Sequence, residues 1–174
     1  MQIKADQNAG EAFSSAFDAH HDEIFRHCYF HVFDRETAVD LAQETFMNVW
    51  LYLTKGNDID NIRALLYRTA GNLCLNYKRK HKTVSLDQLL DEGFDVGEED
   101  PKQTKDTIAE QQALRALAHL QENYRQAVTL RYIEGLEPAE IGEITQQSAN
   151  TVSAHISRGL KALRKFLPNE HDAK

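Results

Sequence analysis

The sequence predicts an all-α protein: two small helical domains joined by a flexible acidic linker. Three observations carry this. Apolar residues recur at steps of three and four along most of the chain, which is helical spacing. No apolar/polar alternation runs long enough to suggest a strand. Residues 83–106 break the pattern with two glycines, the only proline before Pro138 and a run of acids, as a linker would. The expected boundaries are 10–82, 83–106 and 107–168. Domains of this size bury a modest share of their surface, so help from a partner is expected.

Each element has its own signals. From Ala12 to Val32, one helical face carries Phe13, Phe17, His21, Ile24, Cys28 and Val32. Asp34 is a helix cap with Thr37 in the first turn, and Val39, Leu41, Ala42, Phe46, Val49, Trp50 and Leu53 carry that helix onward. Lys55-Gly56-Asn57-Asp58 is a turn. A third helix runs from about Asp60 to Lys80, with Ile62, Leu65, Leu66, Thr69, Leu73 and Tyr77 on one side. The linker holds at most a short helical piece around Leu86–Leu90. Helical spacing resumes from Thr107 through Leu120 and again over Tyr124–Ile133. Two shorter helices follow, split near Gln146-Gln147, and the last ends at Phe166–Leu167 before Pro168.

The formal charge of −7 argues at first against a nucleic-acid partner. Its distribution argues the other way. Residues 61–86 hold six bases and no acid, and residues 144–168 hold four bases and no acid, between acidic stretches. Attraction to phosphate decays over roughly 8 Å at physiological salt, so local sign outweighs the total. Cys28 and Cys74 form no CxxC pair, which suits a reducing cytoplasm. No signal-peptide core or membrane-span pattern is present, and cytoplasmic localisation is expected.

Near the C-terminus, Pro138 opens a short helix, and Ser148 caps a second whose inner face is Val152, Ile156, Leu160 and Leu163. That is the helix-turn-helix plan. Ser148, Asn150, Thr151, Ser153 and His155 would face base edges, and Arg158, Lys161, Arg164 and Lys165 phosphates. A plain helical hairpin with a solvated basic face has the same pattern.

The run from Tyr124 to Leu167 resembles region 4 of extracytoplasmic-function (ECF) sigma factors at Tyr124-Arg125, Leu130-Arg131-Tyr132, Gly135-Leu136, Glu140-Ile141, Thr151-Val152 and Ser157-Arg158-Gly159-Leu160. Ala38 to Trp50 is similar to that family's region 2.2, and Arg63 to Lys80 to its regions 2.3 and 2.4. Together the matches cover nearly the whole chain. The resemblance implies a non-enzymatic subunit of RNA polymerase that needs no cofactor. Asp40, Gln43, Glu44, Phe46 and Asn48 would bind the clamp of the largest subunit. Arg63, Arg68, Asn72, Asn76, Tyr77, Lys78, Arg79 and Lys80 would melt and hold the promoter's −10 element, with the loop Thr54–Asp60 capturing a base. Region 4 would bind the −35 duplex and touch the polymerase flap. An anti-sigma factor, often membrane-bound, would hold such a chain inactive. The linker acids, Asp87 to Asp100, would approach the RNA path, or merely keep the domains apart.

Several residues depart from the family pattern. Gln146 and Gln147 stand where glycine and an aliphatic are common, and a non-glycine in a left-handed turn costs on the order of 1 kcal/mol. Asn76 replaces a common acid, Ser153 and His155 frequent bases, and Gln121 a common proline. His20, His27 and His31 share a helical stripe that could chelate a metal, although core and surface roles suit them as well. No phosphate-binding glycine loop, nucleophile elbow or triad is present. The rival readings are a helical adaptor or anti-activator with a helix-turn-helix that no longer reads DNA, and a conventional repressor or activator binding duplex alone.

Overall fold

The computed structural model describes residues 2–57, 59–81 and 105–167, with side chains from Ala9 in the first part and from Gln111 in the last. The expected linker up to residue 104, its short piece at Leu86–Leu90, its acids Asp87 to Asp100, and Pro168 lie outside the described residues, as does Asp58. The described elements are all helical: α1 (Gln2–Val32), α2 (Arg35–Thr54), α3 (Ile62–Lys80), α4 (Lys105–Ala118), α5 (Glu122–Tyr132), α6 (Pro138–Thr145) and α7 (Ala149–Leu163). Helices α1–α3 belong to one compact unit; α4, α5, α7 and most of α6 belong to a second. No helix among the described residues is long and apolar enough to cross a membrane.

In the first unit α1 packs along α2 and α3. Helix α1 starts ten residues before the expected Ala12. Its buried face is Ala16, Ile24, His27, Cys28, His31 and Val32, while His21 is exposed and Phe17 half in solvent. The expected face was therefore partly misplaced, because two histidines take core positions. Asp34 caps α2 as expected, its carboxylate accepting the Thr37 N–H at 2.8 Å. Asn61 caps α3, which was expected from about Asp60, by accepting the Ala64 N–H at 3.0 Å. The buried stripe of α3 is Ala64, Leu66, Tyr67, Ala70 and Cys74, rotated from the predicted one. Alanine and cysteine let the helices approach closely, a criterion that a count of large apolar residues overlooks.

In the second unit α5 packs on α7. Gly159 lies at that crossing, where an added Cβ would sit 2.7 Å from Val128 Cγ2 and 3.3 Å from the Tyr124 carbonyl oxygen. Arg125 is 5% exposed and closes the end of α4: its guanidinium donates to the carbonyls of Ala118 (3.3 Å) and Leu120 (3.4 Å) and pairs with Glu122. Burial pushes its pKa down, with Glu122 opposing the shift. Gln121, which precedes α5, has φ −58°, the angle a proline ring would impose.

The turn after α6 keeps its left-handed residue despite lacking glycine. Gln146 has φ 56°, and the Gln147 N–H reaches back to the Gly142 carbonyl at 3.0 Å, as at many helix C-termini. Glycine is required one turn earlier instead: a Cβ on Gly142 would lie 2.6 Å from the Gln147 carbonyl oxygen. At the start of α6 the Glu140 carboxylate accepts the Glu137 N–H at 2.8 Å, half of a capping box.

Candidate nucleic-acid interface

Three surfaces carry the residues singled out by sequence. On α2, Asp40, Gln43, Glu44 and Asn48 are all exposed. Phe46 is not: it is 5% exposed, with ring centroids 4.9 Å from Phe17 and 6.3 Å from Phe13. Phe46, expected at the same partner surface, turns inward in the chain by itself. Its position on α2 turns it onto α1, where edge-to-face ring contacts and burial hold it. Trp50 likewise packs on Phe13, 5.2 Å between centroids. The most exposed apolar side chain of α2 is Met47, at 62%, which sequence reading passed over. With Gly10, Phe13, Phe17, Gln43, Phe46 and Trp50 it lines an open apolar groove of about 460 Å³ beside the acid-and-amide stripe.

On α3 the basic residues divide into two groups. Arg63 is engaged internally: its guanidinium donates to both carboxylate oxygens of Glu23 at 2.9 and 3.1 Å, and the Tyr67 hydroxyl donates to the same carboxylate at 3.1 Å. Burial opposes the arginine charge, but Glu23 and Tyr67 outweigh it and hold the pKa above its ordinary value. Arg63 is thus a half-buried tie between α3 and α1. Arg68 is half-buried, its Nε donating to the Ala64 carbonyl at 3.3 Å. Asn72, Asn76, Arg79 and Lys80 are exposed, while Tyr77 and Lys78 are half-buried. The bases of the last turn also suit the negative end of the helix dipole. His81, absent from the expected set, stacks on Tyr77 at 4.1 Å between centroids and stands exposed at the helix end. In the preceding loop Gly56 takes φ 75°, and Asn57 Nδ2 donates to the Tyr52 carbonyl at 2.9 Å.

On α7 the inner face is Val152, Ile156 and Gly159. Asn150, Thr151, Arg158 and Lys161 point away from it and are exposed, as are Arg164 and Lys165 just beyond the helix. Ser148 is exposed too, but its hydroxyl is occupied as the cap, accepting the Thr151 N–H at 3.1 Å. The Ser153 hydroxyl donates to the Ala149 carbonyl at 2.9 Å, within the helix. His155 leans onto α5, 3.4 Å from Asn123 Nδ2 and with its ring 5.5 Å from that of Tyr124. Half-buried, it flanks the outward face of α7.

The histidine stripe of α1 does not converge on one point. His20 lies 3.4 Å from Glu23, whereas His27 and His31 are buried against each other and His27 against Tyr67. Among the described residues no group of three or more His, Cys, Asp or Glu side chains is arranged to hold a metal. Cys28 and Cys74 are fully buried free thiols, and the pKa of Cys28 is raised by its hydrogen bond with Cys74 and by burial.

The chain matches the family "Sigma-70 region 2" over residues 16–84 and "Sigma-70, region 4" over residues 110–163. It is 30% identical over 177 residues to the ECF RNA polymerase sigma factor SigW of Bacillus subtilis, covering 94% of this chain and 91% of the relative. It is 31% identical over 137 residues to the ECF RNA polymerase sigma factor SigM of the same organism, covering 75% and 81%. Its fold is similar to that of CnrH in the complex of CnrH with the cytosolic domain of CnrY, with a TM-score of 0.68, 19% identity and coverage of 94% and 92%. It is equally similar to the sigma factor RpoE from Bartonella quintana in complex with the anti-sigma factor NepR, with a TM-score of 0.68, 19% identity and coverage of 90% and 96%.

Proposed function

Because the chain belongs to the ECF family of RNA polymerase sigma factors, we propose that it divides promoter recognition among three exposed helical surfaces. The outward stripe of α2, Asp40, Gln43, Glu44 and Asn48 with Met47 beside it, docks on the clamp of core polymerase. The C-terminal half of α3 holds the opened −10 strand, through Asn72, Asn76, Arg79 and Lys80 with the Tyr77–His81 ring pair as a stacking platform. Helix α7 enters the −35 major groove, Asn150 and Thr151 nearest the base edges and Arg158 and Lys161 at phosphates. The corresponding domains are 10–82 and 107–168, with 83–106 as the linker. The chain itself performs no catalysis; it works in the cytoplasm, where polymerase and DNA are.

One observation supports this reading most: the two acid-free stretches put exposed bases on the last turn of α3 (Arg79 and Lys80) and on the outer side and end of α7 (Arg158, Lys161, Arg164 and Lys165). An adaptor that had lost DNA reading would have no use for two such surfaces. Since the similar proteins CnrH and RpoE are seen with CnrY and NepR, we further propose that an anti-sigma factor covers this chain's polymerase-docking faces.

The test is run-off transcription from a genomic promoter library with purified core polymerase. Specific start sites that depend on this chain are expected. A folded chain that binds core yet yields no transcript would favour the adaptor.

A further inference from the structure

The chain has two cysteines, and folding brings them together. Cys28 lies on α1 and Cys74 on α3, each without exposed surface, and their side chains share a hydrogen bond between the two helices. On the same buried faces stand Ile24 of α1 and Tyr67 and Ala70 of α3. Sulfurs in hydrogen-bond contact are within a small side-chain movement of the roughly 2 Å that a disulfide requires. That hydrogen bond and burial push the Cys28 pKa up, so little thiolate is present in the closed fold. A fast redox sensor has the opposite character: an exposed thiol that is already ionised. Here the packing slows the first step and dictates what the product is.

We infer that Cys28 and Cys74 are a slow disulfide site, closed by hydrogen peroxide under sustained exposure, that staples α1 to α3. When the helices separate locally, one cysteine is uncovered and ionises. Its thiolate attacks the O–O bond of peroxide, giving a sulfenic acid and a hydroxide that takes up the released proton. On reclosure the other thiol meets that sulfur and displaces its hydroxyl, which leaves as water with the second proton. Two thiols and one peroxide become one disulfide and two waters, the sulfurs giving two electrons to the peroxide oxygens. Because the resolving thiol is packed alongside, the sulfenic acid is consumed before further peroxide takes it to sulfinic acid. The bond closes a loop from residue 28 to residue 74 and restricts the unfolded chain far more than the folded one. It lies on the buried face of α3, whereas Asn72, Asn76, Arg79 and Lys80 are exposed. The unit is thus held folded in an oxidising medium with its outer residues unchanged.

The test uses the full chain, reduced, separated from reductant and held with hydrogen peroxide over hours, then blocked with N-ethylmaleimide. Peptide mapping without reduction is expected to give a cross-linked pair containing Cys28 and Cys74, with negligible sulfinic acid. The rate is expected to rise about tenfold in urea just below the Trp50 transition, where local separation is more frequent. The oxidised chain is expected to favour its folded state about 100-fold more than the reduced chain. This is read as a Trp50 transition moved to higher urea and returned by dithiothreitol. Under the same peroxide Cys28→Ser and Cys74→Ser are each expected to carry the remaining cysteine on to sulfinic acid. Should a serine variant fail to fold, the alanine variant replaces it, and the mapping of the wild-type chain stands without either. Sulfinic acid in place of the cross-link, a bond only between two chains, or no reaction while the urea-unfolded chain is fully oxidised overturns the site. A cross-link that leaves the Trp50 transition in place, or lowers it, overturns the staple.

Discussion

The first unit holds its helices together with rings; the second does so by bringing backbones into contact. Between α1 and α2 the packing is Phe13, Phe17, Phe46 and Trp50 at centroid separations of 4.9–6.4 Å, and between α1 and α3 it is His27 edge-on to Tyr67 with the Arg63–Glu23 pair beside it. Between α5 and α7 the contact is Gly159 against Val128 and the Tyr124 backbone, and in the turn after α6 it is Gly142 against the Gln147 carbonyl. Ring packing tolerates small adjustments, because side chains can change rotamer. A glycine crossing does not, because the atoms that would clash belong largely to backbone or to stiff β-branched side chains. The second unit therefore fixes the angle of α7 on α5 closely. The first presents broad outer faces whose details are less tightly specified.

The largest effect expected from breaking this contrast is at Phe46. Phe46→Ala should destabilise the first unit by about 3 kcal/mol, the cost of emptying an aromatic core site. Urea unfolding followed by the fluorescence of Trp50, the single tryptophan, reads it directly. An unchanged midpoint would return Phe46 to the role of surface contact. Gly159→Ala comes next: about 2 kcal/mol is expected from overpacking against Val128, seen as loss of helical circular dichroism at lower urea while the Trp50 transition stays in place. A shift of both transitions together would show that the glycine crossing is not local to the second unit.

Arg63→Ala should cost the first unit about 1 kcal/mol, since a half-buried, two-point ion pair is lost. Arg79→Ala/Lys80→Ala should leave the Trp50 transition where it is and reduce promoter opening. Equal stability losses would mean that the bases of α3 do not divide into internal and outward groups. Gln146→Gly should stabilise the second unit by about 0.5–1 kcal/mol through relief of the left-handed φ, again read by circular dichroism. The smallest effect concerns the thiols: in the folded chain Cys28 and Cys74 should react negligibly with an aromatic disulfide reagent, and both should react in urea, because both are fully buried and the Cys28 thiolate is further disfavoured by its hydrogen bond with Cys74 and by burial. Prompt reaction of the native protein would contradict the packing of α1 on α3.

Much of this architecture was legible in advance. The Asp34 and Ser148 caps stand where the sequence puts them because a short side-chain acceptor before an apolar periodic run has few other local uses. The left-handed residue at Gln146 was foreseen as a cost, and the turn carries it. Errors gathered where identity and environment conflict. His27 and His31 read as polar yet are core. The buried side of α3 was judged by its large residues, whereas Ala70 and Cys74 lie innermost.

Sequence alone determined the elements, the Asp34 and Ser148 caps and the two acid-free basic stretches, because propensity, capping and charge are properties of neighbouring residues. Only tertiary packing decided which members of those stretches remain outward. Whether Arg63 meets a phosphate or Glu23 depends on a carboxylate forty residues away in sequence, and whether Phe46 or Met47 meets solvent depends on where α1 lies. A helix fixes the direction of each side chain relative to its own axis; what waits in that direction is set by the rest of the fold.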